Sequence, residues 1–137
     1  MISRNPPDRI VESCLDADNL DAAEQFYSQL LGLTLVSKVE NRHLFYRCGS
    51  SMLLIFNAQE TLKSHPRVPS HGAHGNGHLA FGVSREVLSE WRKRLPALGI
   101  PIESEVTWPG GSQSLYFRDP AGNSLELVEP ALWGLPD

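Results

Sequence analysis

Glu12, His78 and Glu126 are the residues of this chain whose types and settings point to chemistry. Each falls in a short β-prone run with apolar neighbours: Glu12 in RIVESCLD (9–16), His78 in HLAFGV (78–83) and Glu126 in SLELVEP (124–130). A carboxylate or imidazole buried in such a run is costly unless it is paired or bound to a cation. Glu126 is the sharpest case, because it stands between Leu125 and Leu127 and strand alternation turns it to the face opposite both. Two carboxylates and an imidazole suit a divalent ion such as Zn, Ni, Mn or Fe(II), with positions left open for water or substrate. One of the carboxylates, Glu12 or Glu126, could leave such an ion and move a proton as general base. The bland alternatives are an edge carboxylate paired with Arg9 for Glu12, and a core imidazole satisfied by backbone groups for His78.

These residues need elements to position them. Apolar residues at Leu20, Ala23, Phe26, Tyr27, Leu30 and Leu31 recur at steps of three and four, which predicts an amphipathic helix. Asn19 is its expected N-cap and Gly32 its stop. Three β-rich runs follow, TLVSKVEN, RHLFYRC and SMLLIFN, and the same order then returns. HLAFGV reads as a strand, residues 86–98 as a helix with Val87, Leu88, Trp91, Leu95 and Leu98 on one face, and PIESEVTW, SLYFRD and NSLELVEP as strands. Gly32 and Gly99 end the two helices 67 residues apart, and GSSMLLIF (49–56) lines up with GNSLELVE (122–129) at an offset of 73. At that offset the counterpart of Glu126 is Leu53, which cannot ligate.

A repeat of this kind decides the architecture. The expected fold is α+β: two tandem βαβββ modules forming an incomplete eight-stranded barrel around a metal-binding cup. Neither module could bury its sheet alone. The expected boundaries are a flexible arm over 1–8, modules over 9–57 and 77–130, a linker or lid loop over 58–76, and a tail over 131–137. His65, His71 and His74 lie in that loop with no helix to fix them. Cys14 shares a strand face with Glu12. Cys14, Asp16, Phe45, Trp108 and Tyr116 are candidates to line a substrate pocket, and Trp91 is expected in the core. Arg118 is expected to bond the neighbouring turn. Arg42, His43 and Arg47 carry no reading beyond a polar strand.

Composition closes off other classes. The chain has 137 residues, 41% of them hydrophobic and 20% charged, which excludes a disordered or collagenous chain. With 12 basic against 16 acidic residues it shows no basic stripe for nucleic acid. No run approaches the ~20 apolar residues of a membrane span, and the N-terminus has no signal-peptide core. Two cysteines are too few for a disulfide scaffold, so the expected compartment is the cytoplasm.

Three segments, NLDAAEQFYSQLLGL (19–33), GHLAFGV (77–83) and SLYFRDPAGNSLELVEP (114–130), resemble the vicinal oxygen chelate superfamily of glyoxalases, bleomycin-resistance proteins and ring-cleaving dioxygenases. The D-P-x-G-N turn before a Glu-containing strand is the most specific. The resemblance implies paired βαβββ modules and puts the ligands at the same three positions. One lies seven residues before the residue that opens the helix (Glu12 before Asn19), one is the His after Gly (His78), and one is the carboxylate of the last strand (Glu126). It also implies a small-molecule substrate, a homodimer, and a metalloenzyme that stabilises an enediolate or oxyanion as a lyase, isomerase or thiol transferase. Departures are informative. Glutathione-dependent glyoxalases have a fourth ligand where Leu53 is expected, and an Arg for the glutathione carboxylates where Asp16 stands. The resemblance equally admits a metal-free protein that sequesters a drug or metabolite, with Phe45, Trp108 and Tyr116 as contacts. An Fe(II) extradiol dioxygenase is a third reading, weakened by Glu12 in place of a His.

Overall fold

The structure is a computed structural model that describes residues 6–137. The arm expected over 1–8 therefore lies largely outside the described residues; residues 6–8 are in neither helix nor strand. The elements run β1 (Glu12–Asp16), α1 (Leu20–Glu24), a π-helical turn (Gln25–Leu30), β2 (Thr34–Val39), β3 (His43–Cys48), β4 (Ser51–Phe56) and α2 (Ala58–Thr61). They continue with β5 (His78–Gly82), α3 (Arg85–Ala97), β6 (Ser104–Thr107), β7 (Gln113–Arg118), β8 (Ser124–Val128) and a 3-10 turn (Pro130–Trp133). Among the described residues, no helix is long and apolar enough to cross a membrane.

The predicted repeat is present as two four-stranded sheets of matching order, β1-β4-β3-β2 and β5-β8-β7-β6. In each, the first strand lies parallel to the last and forms an edge, while the other pairings are antiparallel. The two sheets share no strand pairing, so the barrel is incomplete. Asn19 caps the first helix as expected, its side chain accepting from Ala22 N at 3.0 Å, and Ser84 caps α3 by accepting from Val87 N at 3.2 Å. The segment expected as an unstructured linker opens with a short helix, α2, because the Asn57 side chain accepts from Gln59 N and caps it.

One face of each sheet packs into a single core. Leu15, Leu53, Ile55, Leu44 and Tyr46 from the first sheet join Leu115, Phe117, Leu125 and Leu127 from the second, with Phe26, Tyr27, Leu88 and Leu95 from the helices. Burying each large aliphatic side chain stabilises by roughly 1.5–3 kcal/mol, and neither half holds this cluster without the other. A polar joint reinforces it. Tyr27, with no exposed surface, donates its hydroxyl to Asp119 Oδ2 at 2.7 Å. Asp119 also accepts from Ala121 N, Asn123 N and the Asn123 amide. Asn123 then ties β1 to β5, donating to Asp16 O and accepting from Gly77 N at 2.7 Å. Gly77 is closely packed: a Cβ there would stand 3.0 Å from Leu15 Cδ2 and 3.3 Å from Asn123 Oδ1, so these neighbours would have to shift. The D-P-x-G-N turn thus joins the two halves.

Candidate functional site

Strand alternation sends the other face of each sheet away from the core. On the second sheet, Glu126 pairs with Ala80 in β5 and with Tyr116 in β7, so His78, Tyr116, Ser114 and Glu126 share that face. Glu126 is 7% exposed. Its Oε2 accepts from Ser114 Oγ at 2.6 Å, and its Oε1 lies 3.4 Å from His78 Nε2. His78 Nδ1 is 3.0 Å from Ser124 O. A carbonyl only accepts, so Nδ1 carries a proton and Nε2 is the nitrogen turned to Glu126.

With Nδ1 so engaged, Nε2 faces a carboxylate oxygen, an arrangement completed by a proton on Nε2 or by a metal cation held between the two. A His with its second nitrogen on a backbone carbonyl is also how metal-ligating histidines are oriented. The residues present therefore fit a divalent ion, which would be held through His78 Nε2 and Glu126 Oε1. Tyr116 adds a phenol whose pKa is raised, first by partial burial and then by the charge of Glu126. It stays a hydrogen-bond donor at neutral pH.

Glu12 lies on the equivalent face of the first sheet, exposed on the free edge of β1 and in register with Met52. Among the described residues no three His, Cys, Asp or Glu side chains converge. Within one chain, therefore, Glu12 does not join His78 and Glu126. Cys14 and Asp16 follow Glu12 on the same face. Partial burial, then Glu12, then Asp16 raise the Cys14 thiol, which keeps it protonated and poorly nucleophilic. Asp16 Oδ2 accepts from Ala73 N at 3.2 Å, holding the 62–77 segment against this sheet.

The same register corrects the expected counterpart of Glu126. Leu53 pairs with Ser13 and Tyr46 and is buried in the core, whereas Leu54 pairs with Cys14 and Phe45 on the open face. Since Glu12 with Met52 matches His78 with Ser124, Glu126 matches Leu54. The expected alignment was one residue out, and with a period of two that reverses the face. The chemical conclusion survives, because Leu54 offers no ligand either.

Phe45 stacks on His43 with ring centroids 3.7 Å apart, and Phe56 meets both edge-on. His71 from the 62–77 segment lies 4.6 Å from the Phe56 ring. Arg118 bonds Gly122 O and pairs with Glu103, the turn contact expected of it. The half-buried Trp108 donates its indole Nε1 to Ser114 Oγ at 2.9 Å. Sequence reasoning overlooked Ser114. Its signal was its place two residues before Tyr116 in a strand antiparallel to the one bearing Glu126.

Residues 9–127 match the family model of the Glyoxalase/Bleomycin resistance protein/Dioxygenase superfamily. The chain belongs to that superfamily. A crystal structure of lactoylglutathione lyase from Agrobacterium tumefaciens superposes with a TM-score of 0.93 at 46% identity, covering 96% of this chain and all, 100%, of the other. Metallothiol transferase FosB of Bacillus licheniformis is 29% identical over 110 residues, 80% of this chain and 67% of that protein. A glyoxalase/bleomycin resistance protein/dioxygenase from Nocardioides has a TM-score of 0.71 at 26% identity, covering 94% and 85% of the two chains. The paired modules are thus a framework that this chain shares with the superfamily.

Proposed function

We propose that this superfamily member is a metal-dependent enzyme acting on vicinal oxygens of a small substrate, with lyase or isomerase chemistry of the glyoxalase type. The observation that carries the reading is His78 Nε2 set 3.4 Å from Glu126 Oε1 with its tautomer held by Ser124 O. The likeness to a lactoylglutathione lyase at 46% identity supports the reaction class. A divalent ion held there supplies Lewis-acid polarisation of two neighbouring oxygens.

The third ligand is Glu12 of a second copy. The exposed edges and open faces of the two sheets leave Glu12 unpaired with the His78–Glu126 group in one chain, and a two-fold dimer sets equivalent faces opposite each other. In this reading His78 and Glu126 bind, Tyr116 donates a hydrogen bond to the oxygen on which negative charge grows, and Glu12 moves the proton. Asp16 in place of a cation argues for a substrate without the glutathione carboxylates at that position. Thiol transfer is the nearest variant within the class, supported by FosB.

A second reading, a metal-free binder, draws on the His43–Phe45 stack and Phe56, which form an aromatic surface on the first sheet. Plasma mass spectrometry on native protein and on Glu126→Gln separates the two. A near-stoichiometric divalent ion lost in the variant supports the enzyme, and no uptake from Zn, Ni, Mn or Fe(II) solutions supports the binder. Turnover that persists in Glu126→Gln would overturn the assignment of that residue.

A further inference from the structure

The geometry points to Trp108 and Ser114 as a positioning relay that pins one oxygen of Glu126, so that the carboxylate turns its other oxygen, Oε1, to a metal. This rests on the metal reading above and goes beyond it by dividing the labour between the two candidate carboxylates.

The direction of each proton follows from chemistry. An indole N–H can only donate, so the Trp108 Nε1–Ser114 Oγ contact of 2.9 Å occupies a lone pair of the serine. The serine proton is then free to turn to Glu126 Oε2, 2.6 Å away, within the range of charge-assisted O–H···O⁻ bonds. Ser114 is 1% exposed, so water does not compete for it. Trp108 is itself fixed, because its backbone N donates to Ser112 O and its carbonyl accepts from Gly111 N at 2.8 Å each. A rigid turn, an indole, a buried hydroxyl and a carboxylate form one chain of bonds ending at Glu126 Oε2, whose partner oxygen lies beside His78.

Two consequences follow. Bidentate ligation by Glu126 would have to share Oε2 between the metal and the 2.6 Å hydrogen bond, so Oε1, which has no such donor, is the favoured ligand atom. A carboxylate pinned in this way is a poor candidate to swing off and carry a proton. Glu12, exposed on an edge strand, is the one placed to exchange between ligand and base.

The test is a calorimetric titration with Zn(II), whose filled d shell does not of itself quench tryptophan, read alongside fluorescence. Wild type, Ser114→Ala, Ser114→Thr, Trp108→Phe and Glu126→Gln are compared, with melting curves to confirm folding. Losing an outer hydrogen-bond partner of a ligand typically weakens metal affinity about 10–100-fold, the loss expected for Ser114→Ala. Thr, which keeps the hydroxyl, restores affinity. Zn(II) should change the wild-type emission by a component absent from Trp108→Phe and from Ser114→Ala. Unchanged affinity in a folded Ser114→Ala overturns the relay while leaving the metal reading intact. If that variant does not fold, Trp108→Phe decides: several-fold weaker binding supports the relay and wild-type binding overturns it. A wild-type protein that takes up no metal overturns the metal reading, and the relay with it.

Discussion

Asp119 and Glu126 lie on neighbouring parts of the second module and are almost equally buried, 5% and 7% exposed, yet their surroundings differ in kind. Asp119 receives four donors: the Tyr27 hydroxyl, the Asn123 side-chain amide, and the backbone N–H groups of Ala121 and Asn123. The Tyr27 bond crosses between the modules, and the other three fix the turn from which Asn123 reaches Asp16 O. Glu126 receives one donor at Oε2 and faces an imidazole nitrogen at Oε1, on a face open to solvent or a partner. Burial alone does not separate a structural carboxylate from a chemical one. The count of donors does, because a carboxylate oxygen left without a hydrogen-bond donor on an open face leaves room for something else to bind.

Glu126→Gln bears hardest on that contrast. Turnover should fall by about a thousandfold, equivalent to ~4 kcal/mol of transition-state stabilisation, while urea midpoints move by less than about 1 kcal/mol. A variant that unfolds instead would place Glu126 in the same category as Asp119. Asp119→Ala should do the reverse and cost about 3 kcal/mol of stability or more, since it strands several buried donors at once. Denaturant curves with the metal site assayed separately check this, and a loss under 1 kcal/mol would erase the distinction. Tyr27→Phe removes only one of the four donors and leaves an apolar ring in an apolar site. Its expected cost is about 1 kcal/mol, with metal uptake unchanged.

How much of this was legible beforehand follows the same division. The helices were readable because Asn19 and the spacing of Leu20, Ala23, Phe26 and Tyr27 are local signals. The paired sheets followed from the tandem order of elements. The D-P-x-G-N segment was the most specific motif, but its work is structural. Asp119 and Asn123 carry the joint, and Gly77 before His78 is small because Leu15 packs on it. Leu54 was missed for Leu53 because strands tolerate no one-residue error, and the turns before β4 and β8 are not aligned residue for residue. Ser114 was missed because a lone serine in a strand carries no signal until its antiparallel neighbour is known. No spacing within one chain brings Glu12 to the other two.

The smallest expected effect concerns His43, on the open face of the first sheet, where an undersupplied nitrogen plays neither role so far described. Its Nε2 shares a 3.1 Å hydrogen bond with Ser37 Oγ, and its Nδ1 is sealed from solvent without a partner. Burial first, and then the charge of Arg42, lower its pKa below the ordinary histidine range. Because the folded value lies below the unfolded one, the native state binds fewer protons as pH falls through about 6.5, so stability declines with acidification. Physically, protonation would place an N–H where Nδ1 now needs no acceptor, next to Phe45 and within the field of Arg42. His43→Phe keeps the stacking on Phe45 but removes the titration, so its melting temperature should decline less between pH 7 and pH 5 than that of the wild type. Equal slopes would assign the acid sensitivity to other groups. A wild-type stability that rises on acidification would mean that the ring gains an acceptor in solution, and with it a role on the face opposite Glu126.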